Sequence, residues 1–202
     1  MKILAINGSH DKNGDIAYLI DIMLSECRKL GADTEVVYAI DAVNDAKTPF
    51  CVNCSSPCSK QCYKDTYLDE VFDKMASCDA IIVGSPVYFG SLSGQLKCLF
   101  DKTKALRASG ALTGKIGVAV TSGASRFGGQ EATVKAIHDI MYVEGMTVVG
   151  SASYELGAGH HGVCSQSPAK DDEFAISRCI QCAHRIVEQL KHTGVEPRMV
   201  LK

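Results

Sequence analysis

Lys2-Ile-Leu-Ala-Ile6, an apolar run that stops at Asn7-Gly8-Ser9, sets the reading of the chain. Four consecutive apolar residues leave neither face of a strand polar, which is the signature of a strand covered on both sides in a parallel sheet. Working outward, Ile16, Leu19, Ile20, Met23, Leu24 and Cys27 recur at helical spacing as far as Gly31. Thr34 to Ile40 predicts a second strand, Tyr67 to Ser77 a helix and Ala80-Ile-Ile-Val-Gly84 a third strand. Ser91 to Leu106 predicts a helix, Ile116 to Thr121 a fourth strand, Gln130 to Glu144 a helix and Thr147-Val-Val-Gly150 a fifth strand. A loop to about Pro168 then leads into a last helix that reaches Leu190. Strand and helix alternate throughout, so the fold class is α/β: a doubly wound, five-stranded parallel sheet with right-handed crossovers and order 2-1-3-4-5. Sheets of this kind bind ligands beyond the carboxyl ends of their strands, at the switch point between strands 1 and 3.

The 202 residues form one expected domain, 1–202, with no repeat or linker. A net charge of -2 with no polybasic run, and the absence of Trp, argue against nucleic acid as a partner. No apolar stretch reaches membrane-spanning length, so no membrane partner is expected. Met1 runs into a strand after one lysine without the apolar core of a leader, and the 10 cysteines then suit a reducing, cytoplasmic interior.

Four of those cysteines, Cys51, Cys54, Cys58 and Cys62, fall within one segment after strand 2, a loop insertion expected over residues 44–65. Their gaps of two, three and three residues disfavour paired disulfides and suit thiolate ligation of one soft metal centre. A single clustered quartet leans toward iron–sulfur, because zinc sites more often pair two separated Cys-x2-Cys turns. Cys179 and Cys182 share a helix face and read as core or subunit-contact thiols, while Cys27, Cys78 and Cys98 fit apolar packing positions. Gly157-Ala-Gly-His-His-Gly162 has the spacing of a dinucleotide fingerprint, but no helix follows it, so it reads as a flexible loop. His160, His161 and Cys164 form a weak second metal candidate.

Three polar loops follow strands 1, 3 and 4. Gly8 to Asp15 precedes a helix N-terminus, where backbone amides and the helix dipole favour an anion such as a phosphate. Ser9, Lys12 and Asn13 can add donors there; the plainer account is a turn with Asp15 as N-cap. Gly84-Ser-Pro-Val-Tyr-Phe-Gly-Ser91 carries two aromatics out of the sheet, suited to a flat ring. Thr121 to Glu131 has three glycines, which permit close backbone approach to a ligand.

Gly84 to Ser91, followed by Gln95-Leu-Lys97 and Asp101, resembles the NADPH-dependent FMN reductases of flavodoxin-like fold. Gly123-Ala-Ser-Arg-Phe-Gly-Gly-Gln-Glu131 resembles the matching loop of their iron–sulfur flavoprotein branch, which carries a compact four-cysteine [4Fe-4S] motif after strand 2. The resemblance covers almost the whole chain. It implies FMN, with the phosphate held by Ser9, Lys12, Asn13, Gly14, Asp15, Ile16 and Ala17. The ring would lie against Pro86, Val87, Tyr88, Phe89 and Gly90, and against Gly123, Ala124, Ser125, Gly128 and Gly129. It also implies Cys51, Cys54, Cys58 and Cys62 as cluster ligands, no catalytic side chain, and a homodimer or homotetramer. A ferredoxin-type protein or a small molecule such as NAD(P)H would be the redox partner. Two departures stand out. Asp11, Asp15 and Ile16 replace the arginine, asparagine and threonine of the family's first loop, bringing two carboxylates toward the phosphate. The cysteine gaps also differ from the branch's usual pattern, which keeps a structural zinc open. The alternatives are then a cluster-free NAD(P)H-dependent flavin or quinone reductase, or a non-enzymatic redox sensor or electron carrier.

Overall fold

The apolar runs are buried as their composition requires. In a computed structural model, which describes residues 1–155 and 157–193, strand β1 (Lys2–Asn7) is buried from Ile3 onward. Strands β3 (Ala80–Pro86) and β4 (Ile116–Gly123) are buried along nearly their whole length. With β2 (Asp33–Tyr38) they lie parallel in the order β2-β1-β3-β4, and β5 (Thr147–Val148) follows β4. The expected order and hand-over at β1 and β3 are therefore present, in a flavodoxin-like α/β fold. Residues 194–202 of the expected 1–202 domain lie outside the described residues.

Helices cover both faces. On one side α1 (Asp15–Lys29) packs with the last helix, burying Ile16, Leu19, Ile20, Met23 and Cys27 against Cys179, Cys182 and Ile186. On the other lie α2 (Ala39–Asp45), α3 (Tyr67–Ser77), α4 (Gly94–Asp101) and α6 (Gln130–Val143), with the short α5 (Lys104–Ala108) following α4. The last helix is α7 (Glu173–His192). Among the described residues no helix is long and apolar enough to cross a membrane.

Three sequence expectations are corrected. The fifth strand is split: β4 pairs with β5 only at Ile116 and Gly117, then with β6 (Val163–Gln166) from Val120 to Gly123. The chain leaves the sheet after Val148 and returns through Gly157–Gly162, which is therefore a packed approach to a strand. A Cβ on Gly162 would stand 2.5 Å from the Ala119 carbonyl oxygen, and one on Gly159 only 1.4 Å from that of Ser151. Only glycine admits backbones that close. Second, the strand expected to reach Ile40 stops at Tyr38, and α2 begins directly, so the cysteine loop opens at Ala46. Third, the helix expected over Ser91–Leu106 starts at Gly94 and breaks at Lys102–Thr103. Thr103 Oγ1 lies within hydrogen-bond reach of Phe100 O at 2.7 Å and of Glu144 Oε1 at 2.5 Å, a local bond that competes with helix continuation.

Candidate functional site

The three loops meet at the carboxyl end of the sheet. The first is wound on itself: Ser9 N–H donates to Asn7 Oδ1 at 2.8 Å, Asp11 N–H to Ser9 Oγ at 3.1 Å, and Asn13 N–H to Asp11 Oδ1 at 2.9 Å. It is pinned to the second loop's strand by Gly8 N–H to Gly84 O at 2.7 Å, while Ser93 Oγ and Gln95 Nε2 donate to Gly8 O at 2.6 and 2.8 Å. Gly14, not Asp15, is the N-cap of α1. The N–H groups of Asp15, Ile16 and Ala17 occupy the helix's first turn, where no intrahelical acceptor exists. These amides and the buried Ser9 are what the loop offers an anion. Ile16 contributes only its backbone, since its side chain is buried in the core.

The charged residues behave differently from the sequence expectation. Asp15 turns away from the loop: Oδ2 accepts from Ser122 Oγ and Oδ1 from Ala169 N–H, both at 2.9 Å. Burial by itself would raise its pKa, but the Ala169 N–H and the hydroxyls of Ser167 and Ser122 outweigh that and hold it below the ordinary aspartate value. Lys12 is also drawn aside, to Asp41 Oδ2 at 2.6 Å, with its ammonium 5.2 Å from the Tyr38 ring centre. Asp11 stays at the helix N-terminus, close enough that a Cβ on Gly14 would meet its Oδ2 at 2.9 Å.

The second loop turns tightly at Phe89-Gly90, with φ of +50° and +75°. Paired hydrogen bonds between Tyr88 and Ser91 close it, as in a hairpin turn with two left-handed central residues. That conformation throws Phe89 fully into solvent. Tyr88 is held by His10 Nδ1 at 2.8 Å, which ties the first loop to the second. Val87 N–H is spent on Ser122 O at 2.9 Å, so Val87 offers no backbone donor, while Pro86 beside it is half-buried.

The third loop is folded over Gln130, whose Nε2 donates to Ser125 O at 2.6 Å. Gly128 N–H donates to the same carbonyl at 3.1 Å, and Gly123 O accepts from Ser167 N–H at 2.9 Å. Ala124, Ser125 and Phe127 face solvent. Gly129, the N-cap of α6 at φ +99°, lies against the second loop: a Cβ there would stand 3.0 Å from Gly90 Cα. The second and third loops are thus in backbone contact. Beside them a groove of about 910 Å³ is lined by Arg126, Phe127, Gly129, Cys164 and Phe174.

All 10 cysteines are free thiols, and Cys51, Cys54, Cys58 and Cys62 line one small cavity of about 20 Å³ with Tyr63, Lys102 and Lys104. Among the described residues no three His, Cys, Asp or Glu side chains, these or His160, His161 and Cys164, already converge as ligands of one ion. Cys51 and Cys54 are exposed, whereas Tyr63 is buried. The Tyr63 hydroxyl makes no hydrogen bond of full geometry, although Cys58 is near enough to act on it. Burial, with the charges of Cys58, Asp69 and Cys62, pushes its pKa up, so the phenol keeps its proton. Four soft donors around a cavity bordered by an unspent O–H and two ammonium groups fit a thiolate-bound metal centre of net negative charge.

Residues 1–161 match the family described as NADPH-dependent FMN reductase. The chain belongs to this family. Its membership makes it an oxidoreductase, and among its relatives are iron–sulfur flavoproteins. One, from Methanosarcina thermophila, is 35% identical over 193 residues, covering 95% of this chain and 96% of the relative. Another, from Methanocaldococcus jannaschii, is 34% identical over 194 residues, covering 95% and 98%. Oxidised flavodoxin 1 from Bacillus cereus superposes with a TM-score of 0.64 at 16% identity, covering 94% of this chain and 99% of that one, which bears on the fold. For this FMN reductase family member, sequence reasoning located the three loops and the thiols. It missed Tyr63, Lys102 and Lys104, because no spacing rule links residue 63 to a helix break forty positions later; the unexplained pair of lysines flanking Thr103 was the only available signal.

Proposed function

We propose that this chain is an FMN- and [4Fe-4S]-containing flavoprotein that passes electrons between a reduced donor, a ferredoxin or NAD(P)H, and a small acceptor, as a homodimer or homotetramer. The observation that carries the reading is the cavity that all four loop cysteines line together with Lys102 and Tyr63, in a chain that belongs to a flavin reductase family. Bound in this way, flavin supplies two-electron and hydride chemistry and the cluster supplies one-electron steps.

The protein's own work is binding and exclusion. The first-turn amides of α1 and Ser9 Oγ would hold the phosphate, with Asn13 at the loop's exposed rim. Gly14 allows the backbone past Asp11. Asp15, tethered to Ala169 and Ser122, keeps its carboxylate out of the anion site. Pro86 to Gly90 and Gly123 to Gly129 would bracket the ring. Their mutual contact at Gly90 and Gly129 fixes the spacing of that bracket. Solvent-facing Phe89 and Phe127 are placed to be covered by ligand or a second subunit. No side chain is required as acid or base.

Anaerobic addition of NADPH or a reduced ferredoxin to the holoprotein tests this. The reading predicts bleaching of the flavin absorbance and appearance of a reduced-cluster electron paramagnetic resonance signal. Flavin reduction with full turnover of a small acceptor and a silent, iron-free loop would favour the zinc-loop reductase instead.

A further inference from the structure

Lys102 is 1% exposed, an unusual place for an ammonium group. It stands where α4 ends and the chain turns into α5. Its Nζ has three N–H donors, yet among the described residues its hydrogen bond is a long one, 3.4 Å to Phe50 O. The cavity it borders is lined by Cys51, Cys54, Cys58 and Cys62, and no carboxylate is among the lining residues. Among the described residues neither Lys102 nor Lys104 forms an ion pair with Asp or Glu. A buried ammonium group is stabilised by a counter-charge, and the four cysteines that line the cavity with Lys102 are the groups placed to supply one. Tyr63 adds a second buried donor, 1% exposed, with its hydroxyl unspent at the same cavity. Lys104 acts on the loop instead, donating to Asn53 Oδ1 at 2.7 Å and Ser55 O at 2.8 Å and so gripping the chain on either side of Cys54.

We propose that Lys102 and Tyr63 are the positioning residues that set the reduction potential of the metal centre held by Cys51, Cys54, Cys58 and Cys62. The inference rests on the cluster reading above and goes beyond it. One-electron reduction, with the electron supplied by the reduced flavin or a ferredoxin-class donor, adds one negative charge to the cluster–thiolate unit. A fixed ammonium and an O–H donor in a low-dielectric pocket favour that more negative state, which raises the potential. Lys104 fixes the loop and contributes a weaker, partly solvated charge.

The test is a redox titration of the anaerobic holoprotein, followed by electron paramagnetic resonance, with iron and acid-labile sulfide measured on each sample. Lys102→Met keeps the length of the side chain and removes the charge. It should make reduction harder by about tenfold in the equilibrium constant, ~59 mV for one electron. Tyr63→Phe keeps the edge-on packing against Phe72, 4.9 Å between ring centres, and loses only the hydroxyl; its potential should fall by a smaller amount. Exposed Lys97→Met, which removes an ion pair with Asp101, should leave the potential unmoved. If Lys102→Met fails to retain iron, Tyr63→Phe decides the matter. Unmoved potentials in cluster-loaded variants would overturn this inference alone. A wild-type protein that carries zinc and no sulfide would overturn the cluster reading and this inference with it.

Discussion

Asp15, the first residue of α1, accepts a hydrogen bond from the backbone N–H of Ala169, 154 residues further along the chain. A carboxylate at the head of a helix proposed to hold a phosphate would oppose the anion. Here it is spent on joining α1 to β4, through Ser122, and to the turn before α7. Asp15→Asn should cost about 1–2 kcal/mol of stability by weakening charge-assisted bonds. The folded pKa is lowered, so the carboxylate's contribution is fully present above the ordinary aspartate range near pH ~4 and fades as acid titrates below it. Thermal melts across pH should therefore show wild type and Asp15→Asn converging in acid; a gap that is constant with pH would remove the charge from the explanation.

Asp11 is the carboxylate that remains near the helix N-terminus, capping Asn13 N–H at 2.9 Å. Asp11→Arg should tighten FMN binding severalfold, with a gain that shrinks as salt rises. Flavin titrations at two ionic strengths measure it. Unchanged affinity would put the phosphate away from this side chain.

Gly129 holds φ +99° with its Cα face against Gly90. Gly129→Ala forces a left-handed conformation on a residue with a Cβ and pushes the second and third loops apart. A loss of about 1–2 kcal/mol in stability is expected, together with weaker FMN retention on gel filtration. A variant as stable and as yellow as wild type would mean the loops are not coupled here.

Cys54→Ala removes one thiol from a loop that contributes little to the sheet. Iron should be lost, while the fold and most of the FMN stay, because β1, β3 and β4 are formed by other residues. One-electron transfer to an external partner should fail and direct hydride transfer to the flavin persist. Full iron retention in this variant would show that Cys54 is not a ligand.

The parts of the fold that were legible were those written in local pattern. Ile3–Ile6 and Ala80–Gly84 could only be buried strands, and the bounds of α3 were readable from Tyr67 to Ser77. The split edge was not legible, because Val163-Cys-Ser-Gln166 is polar and becomes a strand only through pairing with β4. Thr103, at the break after α4, also pairs with Glu144, a partner far along the chain. The same division holds in the site. Loop positions follow from glycine and cysteine spacing, whereas the roles of Asp15, Lys12 and Lys102 depend on Ala169, Asp41 and the cysteine cavity, which only the fold brings near.

One chain that carries both a flavin and an iron–sulfur centre has a definite composition. Protein purified anaerobically should be analysed for iron, acid-labile sulfide, zinc and extracted flavin on the same sample. The account predicts about four iron and about four sulfide per chain, with FMN released on denaturation. Zinc without sulfide, or FAD in place of FMN, would contradict it.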